Sequence, residues 1–261
     1  MLTFLLIGAH PDDVDLDSGG LALKLISKGH HVYFLSMTNG NAGHMTENRD
    51  TLRTRRLGEM QEAARRFHCI RYDTMDIDDG YLKTDHETRD RLIRYIRQLV
   101  PDVIITHRSC DYHPDHRACG QLVQDCSYLI GVPLICPDTP ALRYAPVIMF
   151  SEDCFTSPSP FRADLAVGID AFVDAKVHAS LAHVSQLYEW LPYDGHWDDV
   201  EDAATEKEKT EALTLRLKTR CQGPVQRFPS RFSAGTHYGE VFQVDEYGGP
   251  LTDEIRSAME D

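Results

Sequence analysis

The chain has 261 residues and 42% hydrophobic side chains, enough apolar surface for one large α/β domain or one domain with an appended lobe. Its formal charge of −14 repels polyanions, which argues against nucleic acid as a general partner. Seven cysteines without one CxxC pair argue against a zinc ribbon and suit a reducing compartment, where thiols pack as small core residues.

The apolar run at the start is short, has no basic region before it and leads directly into a polar turn. It fits a buried strand over residues 3–7 rather than a signal peptide. No stretch is long enough to span a bilayer, so a cytoplasmic protein is expected. Pro11 can neither continue a strand nor donate a backbone hydrogen bond. The chain must therefore turn within Gly8-Ala9-His10-Pro11-Asp12-Asp13, which leaves an imidazole and two adjacent carboxylates at a strand end.

Ser18 and Gly29 are suitable caps for a helix of about three turns, and residues 31–37 (HVYFLSM) form a second strand. Strand, helix and strand at this spacing make a right-handed βαβ unit. A polar, glycine-bearing loop over 38–44 leads to a long helix, residues 49–67. A third strand follows over 69–75, and Asp78-Asp79-Gly80 is a turn. Asp85 caps a helix that Pro101 stops after Leu99, and residues 102–106 (DVIIT) are a fourth strand. The stretch His107-Arg108-Ser109-Cys110-Asp111-Tyr112-His113-Pro114-Asp115-His116 comes next, before a helix over 117–129. Strands are expected over 146–151, 165–169 and 239–244. A helix capped by Asp170 should run to Tyr188, a surface loop should occupy 193–202, and a charged helix should cover 205–221. The pattern is α/β: a three-layer Rossmann-like fold with a mainly parallel sheet and a less regular last third. We read 1–261 as a single domain, with a core over 1–150 and a substrate-side lobe over 151–261.

Both histidine clusters follow apolar strands, so both can lie along the sheet edge where α/β proteins bind ligands. A lone His-Pro-Asp-Asp is most simply a turn with a capping aspartate. Two His-Pro-Asp motifs, each at a strand exit, favour a catalytic metal site, although thirteen histidines make chance clustering less rare. His10, Asp13 and one histidine of the second motif would supply imidazole and carboxylate ligands with a position left open, as suits Zn²⁺. Such a set also accepts Fe²⁺ or another divalent ion. Arg56 alone is most simply a solvated helix arginine, and Asp79 a turn former. His44, His107, His183 and His237 are most simply polar surface or structural residues, and Cys110 lacks a dedicated base that would make it a nucleophile.

Ala9-His10-Pro11-Asp12-Asp13 and His113-Pro114-Asp115-His116 resemble the two hallmark motifs of the PIG-L/LmbE-like deacetylases. Arg56-Leu57-Gly58-Glu59, Asp79-Gly80, Lys176 through His183-Val184-Ser185-Gln186, and Tyr238-Gly239-Glu240-Val241-Phe242 are similar to further segments of that family. The resemblance implies that His10, Asp13 and His116 hold zinc, with Asp12 as general base. It further implies that His113 stabilises the oxyanion and protonates the leaving amine while Asp115 orients it. Arg56 and Asp79 fall where members contact the sugar. Val14 and Asn41 depart from the usual acidic residues. The implied activity is hydrolysis of an N-acetyl group from an amino-sugar (GlcNAc-type) conjugate by a zinc-activated water. The implied partner is that small molecule, and members often self-assemble. Two other readings stay open: an amidase of the same family acting on a larger acyl or thiol conjugate, and a non-catalytic Rossmann-like binding module. Ser18-Gly19-Gly20 opening a helix is weak support for the second, since no GxGxxG accompanies it.

Overall fold

Phe4 and Leu6 lie on one face of the first strand, Leu5 and Ile7 on the other, and all four are buried. A strand apolar on both faces must be covered on both faces, which calls for helices above and below a parallel sheet. A computed structural model describing residues 1–260 has this arrangement. Strands β1 (Thr3–Gly8), β2 (His31–Thr38), β3 (Arg71–Ile77), β4 (Val103–Thr106), β5 (Val147–Ser151), β6 (Leu165–Gly168) and β7 (Gly239–Val244) form one seven-stranded sheet. Its order is β3-β2-β1-β4-β5-β7-β6; β1 to β5 pair in parallel, and β7 runs antiparallel to both its neighbours.

The helices are α1 (Asp13–Ser27), α2 (Arg49–Phe67), α3 (His86–Leu99), α4 (Pro114–Leu129), α5 (Val173–Ser180), α6 (Leu191–Gly195), α7 (Asp198–Glu201), α8 (Glu206–Arg227) and α9 (Asp253–Glu260). One face of the sheet is covered by α1, α2, α5 and α9 through Leu21, Phe67, Val173 and Met259, and the other by α3 and α4 through Leu92, Ile96, Leu122 and Val123. Val177, Leu187, Val200, Leu213 and Leu217 make a smaller third cluster. Strands β6 and β7 extend the sheet of the first 150 residues, so the last third packs directly onto it. No helix among the described residues is long and apolar enough to cross a membrane.

The chain order reverses at β1 and β4, whose carboxyl ends open into the crevice typical of such a switch point. His10 follows β1 and His107 follows β4.

Several boundaries differ from the sequence expectation. Helix α1 begins at Asp13, five residues before Ser18, because acidic Asp13 and Asp15 suit the positive end of a helix. Ser18 is inside it and bonds the Ser151 hydroxyl (2.9 Å). Helix α4 begins at Pro114, where a proline's missing N–H costs nothing, with His113 as its cap. Asp170 caps no helix; it accepts the His237 N–H (2.9 Å). The helix expected to reach Tyr188 stops at Ser180 and resumes as a π-helix, Ser185–Trp190, after His183 turns inward. The expected loop over 193–202 holds α6 and α7, anchored by fully buried Val200. Helix α8 opens on a capping box between Thr205 and Glu208 and runs on to Arg227.

Candidate active site

The turn after β1 is held by Thr38 of β2 and by the side chain of Asp13. Ala9 O accepts Thr38 N–H (2.8 Å) and Thr38 Oγ1 (2.7 Å), and Asp13 Oδ2 accepts the His10 N–H (2.8 Å). Helix α4 delivers His116 from the other side of the switch point. The outcome is a triangle of donor residues, with Asp13 presenting one carboxylate oxygen to each imidazole. His10 Nδ1 lies 3.2 Å from His116 Nε2 and 3.4 Å from Asp13 Oδ2, while His116 Nε2 lies 3.5 Å from Asp13 Oδ1. A tetrahedral ion bonded at about 2.0–2.1 Å separates its ligands by about 3.3–3.4 Å, so these three residues fit a Zn²⁺-sized cation.

Outer partners orient the two imidazoles. Asp111 Oδ2 sits 3.3 Å from His116 Nδ1, directing the Nε2 lone pair into the triangle. His10 Nε2 faces Asp79 Oδ1 (3.2 Å) and Asp115 Oδ2 (3.6 Å), though no well-directed hydrogen bond forms. His107 stacks on His116 (4.2 Å between centroids, 7° between planes) and places Nε2 3.0 Å from Asp13 Oδ2. Burial works against charge on His116, but Asp13 and Asp111 outweigh it and push the imidazole up to about 10. Burial likewise opposes ionisation of Asp13, and the surrounding histidines still hold it well below the usual carboxylate range. A cation bound here replaces protons, so its affinity falls as pH drops.

Three residues make contacts that the residue pattern does not indicate, although Arg56 and Asp79 both line the cavity. The Asp115 carboxylate does not touch His113: it accepts Gly80 N–H (2.7 Å) and Leu82 N–H (3.3 Å), fixing the turn that carries Asp79. The backbone N–H of Asp115 instead donates to His113 Nδ1 (3.2 Å). Neutral His113 therefore carries its proton on Nε2. Burial and the neighbouring His10 and His116 hold its imidazole below the ordinary value. Asp79 is engaged with His10 and with the Ala42 N–H (3.3 Å). Arg56, only 2% exposed, donates to Asp12 Oδ1 (2.8 Å) and to Gly40 O (3.1 Å). It is a buried partner of Asp12, not a solvated arginine. Gly40 has φ +67°, and a Cβ there would strike the guanidinium, so this close approach requires glycine.

Asp12 itself stands beside the donor triangle and lines a cavity of about 1260 Å³ together with His113, Tyr112, Trp190 and Arg220. The cavity therefore draws on α8 and the π-helix as well as the strand ends. Cys110 is half-buried, and burial pushes its thiol up, away from a reactive thiolate. His237 is tied to Asp170 on an exposed surface. Asp111 was not singled out by sequence; its only signal is its position two residues before the second motif.

The loop after β2 is fastened to the π-helix. Glu189 accepts from Arg55 (2.8 and 2.5 Å) and from His44 (2.8 Å), while Arg55 also reaches Glu47 and Glu59. The Arg55 hydrogen bonds lower Glu189 from 4.5 to about 2. Stability from a depressed carboxylate is complete above its unfolded value and is lost as pH falls through the folded one. Arg55→Gln is thus expected to flatten the drop in melting temperature between about pH 4.5 and 2; equal slopes for variant and parent would contradict the clamp.

The family described as PIG-L, GlcNAc-PI de-N-acetylase, matches residues 5–127, a span that includes both histidine motifs. The chain is 27% identical over 203 residues to the diacetylchitobiose deacetylase of Thermococcus kodakarensis, covering 72% of this chain and 73% of that protein. Its backbone matches N,N'-diacetylchitobiose deacetylase from Pyrococcus horikoshii with a TM-score of 0.75 at 22% identity, covering 94% and 84% of the two chains. It also matches 4-carboxy-2-hydroxymuconate hydratase from Pseudomonas putida with a TM-score of 0.72 at 18% identity, covering 97% and 99%. These structural matches speak to the fold. One fold carrying a deacetylase and a hydratase means that the reaction must be argued from the site.

Proposed function

We propose, from the match of residues 5–127 to the PIG-L family and from the geometry of the site, that the chain is a metal-dependent N-deacetylase. It hydrolyses the N-acetyl group of a GlcNAc-type amino-sugar conjugate to acetate and a free amine. The observation that carries this reading is the donor triangle of His10, Asp13 and His116 with a second carboxylate, Asp12, beside it and outside it. When bound at these three residues, Zn²⁺ would polarise the amide carbonyl and lower the pKa of a water toward about 7. Fe²⁺ would suit the same donors.

The chain's own groups do the rest. Arg56 donates to one oxygen of Asp12 at 2.8 Å, leaving the other to take a proton from the attacking water. His113, with its proton on Nε2, donates a hydrogen bond to the oxygen that becomes negative at the tetrahedral carbon. A neutral imidazole is a poor acid, so the proton for the leaving nitrogen returns from Asp12. Water then supplies the hydroxyl of acetic acid and the proton of the amine, and the enzyme ends as it began. The volume and mixed lining of the cavity suit a conjugate with an aglycone beyond the sugar, and the segment after residue 150 supplies its wall.

An acetate-release screen over N-acetylated sugars and conjugates, N,N'-diacetylchitobiose among them, tests this. Acetate and free amine should appear in equal amounts, cease after metal stripping and return on addition of Zn²⁺ or Fe²⁺. Release of a bulkier acid instead would favour the amidase reading, and undiminished turnover in stripped protein would refute metal dependence.

A further inference from the structure

Helix α1 carries Asp13 on its first turn and Asp12 at its cap position, yet no side chain caps it. The Asp12 carboxylate, placed where a cap would bond the helix N–H groups, is turned to Arg56 instead. Something else must fix the rotation of this turn, on which the donor triangle depends. The late sequence motifs converge on it. Asp15, fully buried, bonds His183 Nε2 across 168 residues of chain, and His183 is fully buried too. Lys176 Nζ donates to Leu16 O (2.8 Å) and to Glu240 Oε1 (2.7 Å), and Glu240 accepts the N–H groups of Gly20 and Leu21 (2.8 Å each). Ser185 holds Glu59 through its N–H (2.8 Å) and hydroxyl (2.6 Å), one helical turn from Arg56.

We propose that Asp15 and His183 are a positioning pair. They set the first turn of α1 so that Asp13 meets His10 and His116 while Asp12 meets Arg56. The inference rests on the reading of His10, Asp13 and His116 as metal donors. Stability alone accounts poorly for the pair. Asp15 Oδ1 and His183 Nδ1 are buried without a hydrogen-bond partner among the described residues. Apolar residues of similar volume at such a place are commonly as stable or more so. An ionisable pair that leaves two polar atoms unsatisfied makes sense where direction matters, because a hydrogen bond between rigid groups fixes an angle that apolar packing leaves loose. Asp15 is two residues from Asp13 and three from Asp12, so any rotation of the turn moves all three together.

The test uses the full-length protein, stripped and reloaded with Co²⁺ or Zn²⁺, with the dissociation constant read by competition against a chromophoric chelator. His183→Leu should weaken metal affinity on the order of 10-fold and lower kcat at saturating metal with little change in KM. His183→Gln, whose amide can reach Asp15, should recover most of both. Ile93→Ala, on α3 across the sheet, is the control for lost stability alone and should keep parental affinity. Should His183→Leu fail to fold, Asp15→Ala, which removes the same hydrogen bond from the other side, is read in the same way. A folded variant with parental affinity and kcat but a lower melting temperature would reduce the pair to a structural role and overturn the proposal. A parent protein that binds no cation at all would instead overturn the donor reading on which it rests.

Discussion

Asp12→Asn should lose turnover while keeping its metal. Asp12 lies outside the donor triangle, and asparagine preserves volume and can still accept from Arg56, so metal content and KM should stay near the parent's. What disappears is the base. General acid–base catalysis by one positioned group contributes about 10²- to 10⁴-fold, or roughly 2.7–5.5 kcal/mol at 1.36 kcal/mol per decade. If the same carboxylate also returns the proton to the leaving nitrogen, both steps fail together, and the loss should fall at the upper end of that range. The comparison variant is His116→Ala, which removes one corner of the triangle and should lose metal together with activity. Metal analysis and steady-state kinetics on both proteins separate the roles. Turnover within a few-fold of the parent in Asp12→Asn would refute the base assignment. A loss of metal there would place Asp12 among the ligands.

How legible these features are in the sequence depends on the distance over which they are determined. The strands follow from local patterns: Phe4 and Leu6 against Leu5 and Ile7 make β1 apolar on both faces, and Pro11 ends it within three residues. The proposed metal donors are legible because two His-Pro-Asp motifs follow two apolar strands, and parallel strands share an exit edge. Arg56 is not, because nothing in α2 distinguishes it from Arg53, Arg55, Arg65 or Arg66; its burial is decided by Asp12, 44 residues away. The same holds for Asp79 and Asp115, which read as a turn former and an orienting acid but lie behind His10. Asp115 illustrates the limit well: its backbone N–H, not its side chain, sets the His113 tautomer, and no residue pattern encodes that. The break before the π-helix is equally remote in origin, since it turns on His183 and Ser185 finding Asp15 and Glu59.

Arg97 shows the same remoteness in the fold itself, and it gives the largest expected effect on stability. On α3 it looks like one more exposed arginine, yet it is 3% exposed. Its guanidinium donates to the carbonyls of Ile130 (2.9 Å), Ile135 (2.7 Å), Cys136 (2.9 Å), Thr139 (3.1 Å), Leu129 (3.1 Å) and Val132 (2.8 Å). The proline-rich passage after α4 has little regular structure, so its carbonyls need partners from outside, and a planar five-donor fork, its Nη1 shared among three of them, reaches all six from one point. Leu129, Ile130, Val132 and Cys136 also accept backbone N–H groups of their own segment, whereas the carbonyls of Ile135 and Thr139 have no other donor among the described residues. Arg97→Met would leave at least these two carbonyls unsatisfied, at about 1–3 kcal/mol each, or about 2–6 kcal/mol together. Against a total stability of about 5–15 kcal/mol this is a large loss. Arg97→Lys, with one compact ammonium, should recover only part of it. None of the carbonyls Arg97 holds belongs to a residue lining the cavity, so kcat/KM of the folded fraction should stay at the parental value. Urea denaturation should show a lower midpoint at unchanged slope. A midpoint close to the parent's would mean that water replaces the guanidinium without cost, and that the passage after α4 needs no such hub.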